Sequence, residues 1–231
     1  MNKTMLPKTA LSVCFLILLA ALTPARAATH SKSSKGKSRT RGWFAPAPSV
    51  KWPATVTTVV IDAGHGGWDR GGIPGQSIGE KEMTLDMAKR LRAQLQSAGF
   101  RTVMTRRDDT FVPLPQRAAI ANAQKNAVFV SIHFNSSLRG GARGFETHYC
   151  SPSAAKLAVS IQSNLMGSCR TENRGVKHAN FYVLRNARIP AVLVECGFLT
   201  NRDEGRLILK SSQRQRMANL IAKGIVARCG G

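Results

Sequence analysis

The sequence predicts an α/β fold: a single domain with a mainly parallel central sheet flanked by helices on both faces. Three observations carry this expectation. From about Ala54 onward, short apolar runs alternate with longer amphipathic segments, the order that builds strand and helix layers. Three of those runs are apolar almost throughout, as strands covered on both faces are. No internal repeat and no second domain is found in the sequence.

The strands come in order as "TVTTVVID" (55–62), "FRTVMT" (100–105), "AVFVSIHF" (127–134), "GFETHYC" (144–150) and "AVLVEC" (191–196). Between the first two lies "EKEMTLDMAKRLRAQLQSAG" (80–99), with Leu85, Ala88, Leu91 and Leu95 at helical spacing and Gly99 as its stop. Three more segments read as helices: "LPQRAAIANAQ" (114–124), "SAAKLAVSIQSNLMGS" (153–168) and "SQRQRMANLIAKGIVARC" (212–229).

Ahead of this domain the chain changes character. Residues 1–27 read as a secretory signal peptide: Lys3 and Lys8, the apolar run "ALSVCFLILLAAL", then "ARA" at Ala25–Ala27. That run is too short to span a bilayer comfortably, so no stable membrane anchor is expected after cleavage. Residues 28–54, rich in Ser, Lys, Arg and Pro without a helical or strand period, read as a basic disordered linker. The folded domain is expected over 55–231. An exported protein, periplasmic or extracellular, follows.

The net charge is +22, and nine of the 34 basic residues lie in 1–54, where there is no acid. That leaves 25 basic against 12 acidic residues, so the domain itself carries about +13. Such a surface suits polyanions, or serves only as a solvated, repelling coat. Export argues against nucleic acid and leaves anionic envelope polymers, reached through the basic linker. Cys14 departs with the signal, leaving Cys150, Cys169, Cys196 and Cys229, enough for two disulfides in an oxidising compartment. Cys150 and Cys169 could close a short loop worth about 3 kcal/mol, with Cys196 a buried thiol. No CxxC pair is present, so a cysteine-based zinc finger is not expected.

Chemistry is suggested by where polar residues interrupt the apolar runs. Ligands of an open α/β sheet sit beyond the carboxyl ends of its strands. There "VVID" leads into His65, "VFVSI" into His133 and "AVLV" into Glu195, while Glu80 opens the first long helix. Two imidazoles and a carboxylate form the donor set of a catalytic zinc with water in the fourth position, and a second carboxylate would take the water's proton. Each residue also has a bland reading. His65 fits a glycine-rich turn, His133 a sheet edge, and Glu80 the positive end of its helix. Glu195 has the least comfortable one, because a carboxylate buried among apolar neighbours is costly without a partner. A phosphate cradle fails on glycine spacing, and no G-x-S-x-G elbow is present.

Seven blocks then occur in order: "VVIDAGHGGWDRGG", "GEKEMTLDMAKRL", "TRRDDTFVPLPQRAAIAN", "FVSIHFNSS", "GFETHYC", "RGVKHANFYVLRN" and "PAVLVECGFLTN". Together they resemble the zinc-dependent N-acetylmuramoyl-L-alanine amidases of the bacterial cell wall, from Val56 to the C-terminus. The resemblance implies one zinc per chain held by His65, Glu80 (in preference to Glu82) and His133, with Glu195 as catalytic acid/base. It implies a monomer acting on peptidoglycan at the amide between N-acetylmuramic acid and L-alanine. A zinc peptidase, a deacetylase, or a non-catalytic wall-binding protein of the same fold remain as alternatives. Arg70 stands where the family usually has proline and Phe134 where it has a small residue, which is expected to affect substrate fit. The stretch 146–180 lacks the long helical insertion with which some members cover their site, so an open site is expected. No substrate-contacting residue is assigned.

Overall fold

The computed structural model describes residues 49–167 and 169–230. The expected signal peptide and the expected linker as far as residue 48 lie outside the described residues. Strands are β1 Thr58–Ala63, β2 Arg101–Met104, β3 Ala127–Asn135, β4 Phe145–Tyr149, β5 Asn173–His178 and β6 Ala191–Phe198. Helices are α1 Glu80–Ser97, α2 Leu114–Asn122, α3 Ala155–Met166, α4 Tyr182–Arg185, α5 Arg202–Leu209 and α6 Ser211–Cys229, with a 3-10 turn at Pro152–Ala154. The sheet order is β2-β1-β3-β6-β4-β5, and every pairing is parallel except β4 with β6.

Every residue of β1 is buried, as its Val- and Ile-rich sequence requires for a strand covered on both sides. Alternation along the strands divides the interior in two. Val59, Ile61, Val128, Val130, Ile132, Val192 and Val194 face the larger core, shared with Met87 and Leu91 of α1, Leu157 and Ile161 of α3, and Met217 and Ile221 of α6. Val60, Phe129 and Leu193 face a smaller core, closed by Ala121 of α2 and Val183 and Leu184 of α4. Helices therefore cover both faces, unequally.

Local signals set the helix ends. Glu80 and Glu82 complement the positive N-terminus of α1, and Gly99 follows it at φ 87°. Pro113 precedes α2, and Asn201 caps α5 by accepting from the backbone N–H groups of Asp203 and Glu204. Trp52, within the stretch read as linker, packs against the larger core with the Arg228 guanidinium 3.7 Å over its ring.

Three elements escaped the sequence reading, one of them the short helix α4. The polar segment "NRGVKH" forms β5 because an edge strand needs little apolar alternation. The segment "RDEGRLIL" forms α5, which Glu204 ties down by accepting from the N–H groups of Phe198 at 2.8 Å and Gly144 at 2.9 Å. The cysteine expectation is corrected. Cys150, Cys169, Cys196 and Cys229 are all buried free thiols. Cys150 lies in the smaller core and Cys169 in the larger, so the sheet separates the proposed partners. Cys196 is the buried thiol expected of it.

Candidate metal centre

β1, β3 and β6 lie side by side in the sheet, so their carboxyl ends share one edge. His65 follows β1, His133 lies in β3, and Glu195 pairs in register with His133 from β6. α1 begins over the same edge and delivers Glu80. The four residues singled out from sequence therefore meet.

Glu80 is the hub. Its carboxylate reaches His65 Nε2 at 3.1 Å through one oxygen and His133 Nδ1 at 2.9 Å through the other. The two imidazole rings meet edge to face, with centroids 4.9 Å apart. One donor atom from each of His65, Glu80 and His133 falls within 4.8 Å of the other two. Burial opposes charge at Glu80, but hydrogen bonds from His133 and His65 prevail and hold it down at about 2. Burial likewise opposes the His65 cation, yet bonds to Asp69 and Glu80 push it up to about 10. The carboxylates thus draw positive charge into this spot. Asp69 Oδ2 holds His65 Nδ1 at 2.9 Å, which leaves Nε2 for the centre and fixes the ring, as outer partners of metal-ligating histidines do. A divalent cation fits this donor set.

The surrounding backbone is shaped to match. His65 itself adopts the left-handed conformation at φ 60°, uncommon outside glycine and a form of stored strain. The arginines of "TRRDDTFVPLPQR" restrain this loop. Arg117 donates to the carbonyls of Ala63 and His65, each at 2.6 Å, and pairs with buried Asp62 at 2.8 Å. Arg106 donates to the carbonyls of Ala63 at 2.9 Å and Gly64 at 2.8 Å. A Cβ on Gly64 would come within 2.4 Å of the His133 ring, so only glycine lets that imidazole lie against the strand end. Sequence reasoning assigned no role to Arg106, Arg117, Asp62 or Asp69. Their only signal was membership in the ordered blocks.

Glu195 stands apart from the trio. Its Oε2 is buried without a hydrogen-bond partner. Burial, then the charges of Glu80 and Glu146, push its carboxyl well above the usual range. Glu146 is its cross-strand neighbour on β4. Glu146 accepts from Asn135 Nδ2 at 2.8 Å, from Arg174 Nε at 3.0 Å and from the Lys177 ammonium, with His148 Nε2 at 3.3 Å. Burial notwithstanding, those bonds keep Glu146 ionised, well below the carboxylate range. The two adjacent carboxylates thus differ in their surroundings: Glu146 is fully bonded and Glu195 Oε2 is not.

The two departures noted in the sequence have different outcomes. Phe134 turns its side chain into the larger core and gives only its backbone N–H, at 2.9 Å, to Glu80 Oε1. It does not face substrate, so the expected effect on fit is corrected. The carbonyl of Arg70 accepts from the N–H groups of Glu80 at 2.8 Å and Lys81 at 3.1 Å, seating the first turn of α1. Among the described residues, the 3-10 turn and α3, which packs on α6, are the elements between β4 and β5.

The sequence model described as N-acetylmuramoyl-L-alanine amidase (Amidase_3) matches residues 59–227. The chain is 38% identical over 185 residues to uncharacterized protein YqiI of Bacillus subtilis, covering 79% of this chain and 89% of that one. It is 36% identical over 185 residues to N-acetylmuramoyl-L-alanine amidase LytC of the same organism, of which it covers 37%. Among solved structures, the N-acetylmuramoyl-L-alanine amidase of Clostridium difficile 630 superposes with a TM-score of 0.72 at 34% identity, covering 77% of this chain and 99% of that one. The catalytic domain of CwlV from Bacillus (Paenibacillus) polymyxa gives 0.71 at 36% identity, covering 75% and 98%.

Proposed function

Because the chain belongs to the N-acetylmuramoyl-L-alanine amidase family, we propose that it hydrolyses the amide between N-acetylmuramic acid and L-alanine in peptidoglycan. His65, Glu80 and His133 hold one zinc ion per chain. The chemistry such an ion supplies when bound is Lewis acidity toward the amide carbonyl and toward water. Glu195 does the proton work. It accepts a proton from the attacking water as the C–O bond forms, and returns it to the alanine nitrogen as the C–N bond breaks.

The observation that best supports this reading is the partnerless Glu195 Oε2 beside the trio. A buried carboxylate with no structural bond to maintain is costly unless it has another task. Asp69 orients His65, while Arg106 and Arg117 hold the loop that carries it. The protein is exported and acts as a monomer at the wall, its basic surface supplying attachment to anionic envelope polymers.

The test is chelation followed by identification of the bond cut. Activity on purified wall is expected to vanish with chelator and return with zinc, and mass spectrometry of the digest should show free muramic lactyl groups and peptides beginning with L-alanine. Glu80→Gln should lose zinc, whereas exposed Glu82→Ala should not. Full activity in zinc-free protein, or cleavage at another bond, would overturn the proposal.

A further inference from the structure

Trp68 is 78% exposed, although an indole is among the most favourable side chains to bury. It sits three residues after His65, on a turn closed by bonds from Gly66 N to Asp69 O at 3.0 Å and from Asp69 N to Gly66 O at 3.1 Å. That turn is pinned from below. Lys81 Nζ donates to the Gly67 carbonyl at 2.8 Å and pairs with Asp109 at 2.5 Å, while Gly67 N–H donates to Asp109 Oδ1 at 2.9 Å. One side of the indole is also occupied: its ring stacks on Phe111, with centroids 4.3 Å apart and planes 34° from parallel. A rigid apolar plate is thus left in water beside the metal centre, where a mobile polar residue would have been the cheaper choice.

We propose that Trp68, backed by Phe111, is a platform on which an N-acetylhexosamine ring of the glycan strand stacks. The proposal rests on the amidase reading and names the subsite that holds the sugar. The scissile amide joins a pyranose to a peptide, so one side of the centre must receive sugar. A pyranose is uncharged and turns a face of C–H bonds toward an aromatic plane, which matches this surface. The stem peptide, which carries carboxylates, would seek a cation. Lys81, below the turn, is already committed to Asp109 and Gly67. The cations across the sheet, Arg174 and Lys177 of β5 beyond β4, are likewise committed to Glu146. Pre-organisation adds to the case. The plate is fixed before ligand arrives, so stacking would cost little ordering entropy. Asp69, next in the chain, touches His65, so the platform keeps register with the centre.

The experiment separates this subsite from the reaction. N-acetylglucosamine tetramer, which carries no peptide and no scissile amide, is titrated into the full chain and into Trp68→Ala and Trp68→Tyr, following tryptophan fluorescence and calorimetric heat. Saturable binding by the parent chain is expected, weakened about tenfold in Trp68→Ala and largely kept in Trp68→Tyr, as loss of an aromatic contact predicts. With a tetrasaccharide-peptide substrate, Trp68→Ala should raise KM about tenfold with kcat and zinc content held. With a muramyl-peptide that has no further sugar, the rise should be smaller. No tetramer binding by the parent chain, or equal binding by Trp68→Ala, would overturn the platform. A fall in kcat at constant KM would do so too, because Trp68 would then serve only the turn. Failure of the amidase reading would appear separately, as cleavage of a different bond with tetramer binding intact.

Discussion

The two faces of the sheet are built from the same strands and do opposite work. On one face, Ile61, Val130, Ile132 and Val194 meet α1, α3 and α6 in a continuous apolar core. On the other, Val60, Phe129 and Leu193 form a small core near the strand starts. Toward the strand ends that second face becomes a polar row in which Asp62, Ser131, Glu146 and His148 are buried and His133 and Glu195 are half-buried. The row is almost fully paired: Ser131 Oγ and Thr105 Oγ1 each donate to Asp62 at 2.6 Å, and Arg117 completes its set. The exceptions on this row are Glu195 Oε2 and His148 Nδ1. The lesson is a division of labour set by a period of two. Apolar alternation on one side anchors the strands firmly enough for the other side to carry groups that stability alone would not select.

The sharpest way to break that comparison is to change one residue on each face. Glu195→Gln should cut turnover by roughly 10²–10⁴ while keeping zinc and leaving the melting temperature unchanged or raised, because a strained carboxylate is replaced by a neutral amide. Loss of zinc on that substitution would show the two glutamates' roles to be reversed. Leu91→Ala, on the apolar face, should do the reverse. Stability should fall by about 2–5 kcal/mol, read from chemical denaturation, with kcat per folded molecule unchanged.

A second test weighs the polar row itself. Arg117→Met leaves Asp62 buried without its cation and should cost about 3–5 kcal/mol. Asp62 also fixes a pH signature. Burial opposes its charge, but Arg117, Ser131 and Thr105 hold it below its ordinary value of 3.8. Its contribution is therefore present above that value and lost as pH falls through the lower folded one. Denaturation midpoints of the parent chain should drop over that acid window, and Asp62→Asn should flatten the drop.

The smallest effect concerns the thiols. Cys150 lies on the other face from Cys169, Cys196 and Cys229, so it is not expected to bridge to any of them, and all four are free thiols. In a chain lacking residues 1–27, a thiol reagent should find almost nothing in the folded protein and four reactive groups after unfolding. Fewer than four under denaturing, non-reducing conditions would show a disulfide.

How much of this was legible in the sequence depends on what each residue interrupts. His133 and Glu195 stood out because they break apolar runs, and an interruption at a strand end places the residue as well as naming it. Glu80 and His65 were found by their proximity to a helix start and a glycine-rich turn. Arg106, Arg117 and Glu146 were silent because a charged residue in a polar segment looks solvated. Only the fold reveals that Arg117 is buried under the His65 loop, or that Glu146 lies opposite Glu195. Strand β5 was missed for the same reason: its polar sequence is acceptable only because it is an edge. The Cys150–Cys169 idea failed because closeness along the chain says nothing about which side of a sheet a residue occupies.

The placement of α6 has a consequence for how the chain reaches this state. Met217, Ile221 and Ile225 fill the larger core against α1 and α3, elements laid down far earlier in the sequence. The central strand β3 likewise waits for β6 on one of its sides. Long-range pairings of this kind are slow to form, because the closure entropy of long loops comes before the contacts that reward it. A nascent chain that has emerged only as far as Lys210 leaves Leu91, Leu157 and Ile161 without their cover. Folding of this domain is thereby held back until α6 has been made, and the chain before that point presents the sticky surface that chaperones bind.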